Sequence, residues 1–147
     1  MKDKKIILLL SNTSWYLYNF KKDLIYDLIK NGYQICLVAP HDKHSEFFEK
    51  KGINLIDWHL NRKSLNPFSA LRSIFHLIFI YAKIKPDLVH HFTIKSIVYG
   101  TISARILNIK TVINAFTGLG PVYLMNKKYL AILRWFILVL YKSVLSE

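Results

Sequence analysis

Five short apolar runs, separated by segments with helical spacing, constrain this chain more than any other feature. They are KIILLL (5–10), QICLVAP (34–40), INLIDW (53–58), DLVHHF (87–92) and TVINAF (111–116). The first two are continuous enough to be strands buried on both faces of a parallel sheet. Between them, NFKKDLIYDLIKNG places Phe20, Leu24 and Leu28, with Ile25 and Ile29, at helical spacing and stops at Gly32. KHSEFFEKKG reads as a second short helix closed by a glycine. Asn66 is a suitable cap and Pro67 a suitable first residue for a long helix through FSALRSIFHLIFIYAKIK, which Pro86 must end. SIVYGTISARILN supplies a further helix before the fifth run. This alternation predicts an α/β fold: a doubly wound, mostly parallel, Rossmann-like sheet with right-handed crossovers.

Composition narrows the function classes. The chain has 147 residues, 52% of them hydrophobic, enough for one domain with a real core and too apolar for disorder. Cys36 is the only cysteine, so an internal disulfide and a cysteine-built zinc site are both excluded, and no other metal cluster is visible. The basic start and apolar run resemble a signal peptide, but Ile6–Leu10 is shorter than the roughly 7–15 residues a signal core needs. Charge is divided unevenly. Residues 1–57 carry nine Lys/Arg and seven Asp/Glu, whereas residues 58–147 carry twelve against only Asp87 and Glu147. A basic, apolar second part suits an anionic membrane surface. Its cations stand singly or in pairs among apolar runs, which argues against a nucleic-acid partner.

Ligands of such sheets sit at the carboxyl ends of the strands, so the connections there are the ones to read. The first, SNTSWYLYN (11–19), reads as a loop without the G-x-G-x-x-G of a dinucleotide site, and no Walker lysine loop is present. It offers Asn12, Ser14 and Asn19 beside the aromatic plane of Trp15, chemistry suited to a sugar or lipid headgroup; Trp15 would equally serve to cover the sheet edge. His90 and His91 should face opposite sides of the fourth strand, and one of them suits ordinary packing. Thr93 and Lys95 stand where a helix begins, a fair place for an anion. Gly100 lies inside that helix and implies close approach by another group. Gly118 and Gly120 bracket a turn after the fifth strand.

In order and spacing, the stretches SNTSWYLYNFKKDLIYDLIKNGYQICLVAP, NRKSLNP, KPDLVHHFTIKSIVYG and INAFTGLG, over residues 5 to about 123, resemble the N-terminal, acceptor-side domain of bacterial family 4 glycosyltransferases of the GT-B fold. The likeness is greatest to enzymes of capsule, O-antigen and lipid-linked oligosaccharide synthesis. The resemblance implies a cytoplasmic protein, peripheral on the inner face of the membrane, and an undecaprenyl-diphosphate-linked sugar as acceptor. It implies that Asn12, Ser14, Trp15 and Asn19 line the acceptor cleft, and that His90, Thr93 and Lys95 match an H-x-F/Y-T-x-K stretch, with His90 the candidate catalytic residue. Thr117, Gly118 and Gly120 match the family's T-G-L-G turn. No cofactor is implied beyond the donor nucleotide-sugar, expected to be UDP-linked and bound by a C-terminal domain whose E-x7-E motif has no counterpart here. The first loop also lacks the glycine pair of many relatives.

The segment YLAILRWFILVLYKSVLSE (129–147) reads as part of an amphipathic basic helix over 127–146, at an incomplete edge of a single N-terminal domain spanning 1–147. Its uninterrupted apolar run, Trp135–Tyr141, is far short of the roughly 20 residues of a membrane span. Lys127, Arg134 and Lys142 fall within about 80° on a helical wheel. With Lys128, Trp135 and Phe136 they form a candidate membrane contact, the other reading being a helix half buried against the domain. Three functions fit: the acceptor-binding half of a glycosyltransferase working with a separately encoded donor-binding domain or cut from a longer chain; a non-catalytic membrane-associated subunit presenting the lipid-linked acceptor; or an inactive truncated remnant.

Overall fold

The computed structural model describes residues 4–62, 64 and 66–116. Five strands, β1 (Ile6–Leu10), β2 (Gln34–Ala39), β3 (Asn54–Asp57), β4 (Leu88–Phe92) and β5 (Thr111–Ala115), form one sheet in the order β3-β2-β1-β4-β5. Every pairing is parallel. The doubly wound α/β expectation is met. Ile7 and Leu9 bury on one face of β1 and Leu8 and Leu10 on the other, so the central strand has no wet side. Asp87 fixes the β1–β4 register from below: its carboxylate accepts from the Ile6 N–H at 2.7 Å, and its own N–H donates to the Ile6 carbonyl at 2.9 Å.

On one face lie α1 (Ser14–Phe20), α2 (Lys22–Lys30) and α3 (Ser45–Lys50), which contribute Leu17, Ile25 and Phe48 to the core there. On the other lie α4 (Pro67–Ile84), contributing Leu77, Ile80 and Tyr81, and α5 (Ile94–Ile106), contributing Ala104. Segment 11–19, expected as a loop, is mostly helix, because Thr13 is an effective cap: its hydroxyl accepts from the Tyr16 N–H at 3.1 Å. The helix expected to follow is split from α1 at Lys21. The long helix starts as its sequence implies, with Pro67 first and the Asn66 side chain accepting from the Phe68 N–H. Gly32 and Gly52 follow α2 and α3 with positive φ, the left-handed turn that glycine adopts at helix ends.

A buried polar chain ties the second face together. His91, fully buried on β4, places Nε2 3.0 Å from the Tyr81 hydroxyl and Nδ1 2.8 Å from Asn114 Oδ1, which also accepts from Thr101. Because Asn114 Oδ1 only accepts, His91 carries its proton on Nδ1, and its Nε2 accepts the hydrogen bond from the Tyr81 hydroxyl. Gly100 sits against this ring, and a Cβ there would lie 2.6 Å from Nε2. The group that approaches Gly100 is therefore a core histidine.

Helix propensity alone would make Gly100→Ala stabilising by about 1 kcal/mol. Overpacking and the disturbed Tyr81–His91 bond should outweigh that, giving a net loss of about 2 kcal/mol in urea unfolding. A neutral or stabilising result would contradict the packing of His91 on Gly100.

Candidate functional site

A doubly wound sheet opens a crevice where adjacent strands send their connections to opposite faces. Here that point lies between β1, whose chain continues into α1, and β4, whose chain continues into α5. Two departures from relaxed geometry coincide there. The Ser11 hydroxyl, just beyond β1, is buried with no hydrogen-bond partner among the described residues. Thr93, just beyond β4, has φ 73° and ψ 148°, a region that β-branched residues avoid at a cost of roughly 1–3 kcal/mol. Its hydroxyl meets that of Ser96 at 3.2 Å and caps no amide of α5. The coincidence of strain and an unsatisfied polar group makes the crevice the candidate functional site.

Asn12 stands half-buried at this rim, and Trp15 is 47% exposed, edge-on to Phe20 at 5.5 Å. Ser14 and Asn19 are placed differently from their expected role at the cleft. Ser14 is fully buried: it donates to the Pro40 carbonyl at 2.9 Å and accepts from the Ser45 hydroxyl at 3.0 Å. Asn19 is exposed but donates its side-chain amide back to the Trp15 carbonyl at 2.9 Å. Both hold local structure. Asp42, which sequence reasoning missed, completes the arrangement: its carboxylate accepts from the Trp15 N–H at 2.9 Å and the His44 N–H at 2.8 Å. The start of α1 is thus already occupied by an anion of the protein itself.

Lys95 lies beside the crevice, but its ammonium donates to the carbonyls of Asn61 at 3.0 Å and Ser64 at 2.7 Å. Partial burial pushes its pKa down. It clamps the β3–α4 connection to the start of α5 rather than pointing free at an anion. The same connection borders a hollow of about 350 Å³ lined by His59, Leu60, Asn61, Ser69, Arg72 and Ser73. His76, on the adjoining turn of α4, accepts from the His59 N–H at 3.2 Å and meets the His59 ring at 3.0 Å between Nδ1 atoms. Burial and then the neighbouring His59 lower the His76 pKa, Asp57 opposing and Arg72 adding to the effect. This histidine pair was legible only as separate residues, because the two positions meet across a 17-residue separation.

His90 and His91 face opposite sides, as strand geometry requires. His90 is half-buried, its ring 4.2 Å from that of Phe92, over which Lys21 also lies at 4.7 Å. Burial, reinforced by the Lys21 charge, pushes the His90 pKa down to about 4. It is therefore a neutral imidazole at neutral pH, beneath the rim and not at its edge. Thr117, Gly118 and Gly120, and the candidate membrane residues Lys127, Lys128, Arg134, Trp135, Phe136 and Lys142 with helix 127–146, lie outside the described residues. Among the described residues, no group of three or more His, Cys, Asp or Glu is placed to hold a metal, and no helix is long and apolar enough to cross a membrane.

Residues 6–144 match the family model described as glycosyl transferase 4-like. The N,N'-diacetylbacillosaminyl-diphospho-undecaprenol alpha-1,3-N-acetylgalactosaminyltransferase of Campylobacter jejuni is 26% identical over 133 residues, covering 90% of this chain and 35% of that relative. MurG of Acinetobacter baumannii superposes with a TM-score of 0.60 at 20% identity, over 77% of this chain and 34% of that one. A glycosyltransferase from Rickettsia africae gives 0.61 at 18%, over 76% and 29%. A UDP-N-acetylglucosamine 2-epimerase gives 0.58 at 16%, over 80% and 32%, so likeness at this level shows the fold alone. The chain spans about a third of the length of the relatives it matches.

The buried histidines set a pH dependence of stability. His90 and His91 both have pKa values lowered to about 4, chiefly by burial. The unfolded chain therefore takes up protons first, and stability present above pH about 6.5 is lost as pH falls toward 4. Urea unfolding at pH 7 and pH 5 should show this loss, fully buried His91 adding up to about 1.4 kcal/mol per pH unit to the slope and the half-buried, solvent-screened His90 less. His91→Gln should flatten the slope, whatever its effect at pH 7. An unchanged slope would contradict the neutral, buried state of His91.

Proposed function

The chain belongs to the glycosyl transferase 4-like family, and from that premise we propose that it forms the acceptor-binding half of an enzyme transferring a sugar from a nucleotide-sugar to a glycan carried on undecaprenyl diphosphate. The observation that carries this reading is the start of α1. A bound donor diphosphate would need open backbone amides there, close to a glycine turn. Here the Thr13 hydroxyl and the Asp42 carboxylate hold those amides, and residues 11–13 contain no glycine. A negative carboxylate at that position opposes a diphosphate. The relative from Campylobacter jejuni, whose name gives a diphospho-undecaprenol sugar as its substrate, supports a lipid-linked acceptor for this chain.

In this reading Asn12 and Trp15 meet the acceptor sugar, the amide and the aromatic plane supplying complementary polar and apolar contacts. The start of α5, left uncapped by the strained Thr93, meets the acceptor diphosphate. Lys95 acts indirectly by holding Asn61 and Ser64 at the crevice wall. Neutral His90 lies one residue pair below the rim and serves to seat Phe92 under the site. On sequence pattern alone, Thr117, Gly118 and Gly120 are proposed as further acceptor contacts, and Lys127, Lys128, Arg134, Trp135, Phe136 and Lys142 as contacts with the anionic inner face of the cell membrane. Capsule, O-antigen or other lipid-linked glycan synthesis is the setting that this acceptor chemistry suits.

The test is binding of a short-chain polyprenyl-diphosphate N-acetylhexosamine, followed by backbone amide shifts and calorimetry, with UDP-N-acetylglucosamine as comparison. The acceptor analogue should shift the amides of residues 12–15 and 93–96. Thr93→Gly should raise stability by about 1 kcal/mol by relieving φ, yet weaken acceptor binding roughly 2–10-fold through the lost hydroxyl. Saturable binding of the nucleotide-sugar at these amides, with none of the acceptor analogue, would overturn the acceptor-side assignment.

A further inference from the structure

The start of the connection between β3 and α4 rests on very few atoms. Among the described residues, three hydrogen bonds join His59 to α4. Its carbonyl accepts from the Ser73 hydroxyl at 2.9 Å, its N–H donates to His76 Nδ1 at 3.2 Å, and its ring meets the same Nδ1 at 3.0 Å. Two of the three end on one ring atom. Because a backbone N–H only donates, His76 Nδ1 carries a lone pair, and the neutral ring holds its proton on Nε2. The His59 ring must then donate from its own Nδ1, which it can do whether neutral or charged. His76 has no such freedom. A proton on its Nδ1 sets donor against donor at both contacts and removes both bonds together.

We propose that the His59–His76 pair is a pH-sensitive latch, which holds the start of this connection on α4 while His76 is neutral and releases it when His76 takes up a proton. The charged groups acting on His76 are Asp57 and His59, at the end of β3 and just beyond it, and Arg72, one turn earlier on α4. Burial, His59 and Arg72 favour the neutral ring, and Asp57 opposes them. The His76 pKa therefore lies below its ordinary value of 6.5, so the latch is closed above that pKa and is lost as pH falls through it. Space for the movement is already present. The hollow of about 350 Å³ lies between the connection, lined there by His59, Leu60 and Asn61, and α4, lined there by Ser69, Arg72 and Ser73. The bonds from Lys95 to the Asn61 and Ser64 carbonyls involve no histidine, so release is confined to His59 and Leu60 and opens the hollow.

The test contains neither glycan nor nucleotide, so its failure and that of the acceptor assignment are distinguishable. Long-range proton–nitrogen spectra of the full chain report the tautomer and titration of His76, and amide hydrogen exchange reports the bond from the His59 N–H. At neutral pH His76 should show a bare Nδ1 and a protonated Nε2, with a titration midpoint below 6.5. Between pH 7.5 and pH 5 the His59 amide should lose at least about fivefold of its protection, after correction for intrinsic exchange. His76→Asn places a side-chain oxygen near the position of Nδ1 and cannot titrate. It should keep the His59 amide protected at both pH values, whereas His76→Leu should leave that amide unprotected at both. An equal loss in wild type and His76→Asn would overturn the proposal, because it would show general loosening of the fold by acid. So would a neutral His76 with its proton on Nδ1, or a titration of His76 that leaves the His59 amide unchanged. These last two measurements use the wild-type chain, so they decide the matter whatever the stability of the variants.

Discussion

Burial of β1 on both faces is the constraint on which the rest of the structure depends. Leu8 and Leu9 are successive residues that point to opposite sides, and neither retains any exposure. A strand in that position needs helices above and below it. Parallel pairing meets the need, because each crossover lays a helix over the sheet. Covering both faces obliges the chain to change sides once, after β3, where α4 passes to the face that α1, α2 and α3 leave open. The crevice between the ends of β1 and β4 is a consequence of that change. Site and core thus have one cause.

This also explains which parts were legible in the sequence. The five strands, the cap at Asn66, the stop before Pro86 and the opposed histidines all follow from local pattern, and local pattern survives folding. Helix α1 was missed because its seven residues hold little helical period, and its stability comes from Thr13 and from Asp42, a residue 27 positions from the amide it caps. Ser14 looked like a cleft residue because serine in a loop is usually wet; its partners, Pro40 and Ser45, come from a different connection. Lys95 looked like an anion ligand because a lysine at a helix start usually is, and the carbonyls that hold it lie 31 and 34 residues away. Gly100 signalled close approach correctly but could not name His91, which packs on it from another element. Types of chemistry were readable; partners across long separations were not.

The crevice contrasts with the core in its treatment of polar groups. The Tyr81–His91–Asn114–Thr101 chain is closed, each member meeting a partner, and it makes the second face of the sheet specific without leaving a buried charge. At the crevice the Ser11 hydroxyl has no partner among the described residues and Thr93 is held against its conformational preference. One protein that satisfies a difficult four-residue network 10 to 23 residues apart in sequence has no general difficulty in satisfying polar groups. Among the described residues the Ser11 hydroxyl shares this state with His44 Nε2 at the start of α3, but only at the crevice does an unpartnered polar group coincide with a strained β-branched residue.

The wall of that crevice is also mechanically joined to α4. Trp58 donates its indole N–H to the Ser73 carbonyl at 3.1 Å, and the Ser73 hydroxyl donates to the His59 carbonyl at 2.9 Å. Lys95 then fastens residues 61 and 64 to the start of α5. In the connection between β3 and α4, His59 is thus held by α4, and Asn61 and Ser64 by α5. A force applied to the outer face of α4 is carried into the crevice wall through Ser73 and Trp58, both fully buried. The bonds around Ser73 and Lys95 thus link α4, the described part of the crevice wall and the start of α5.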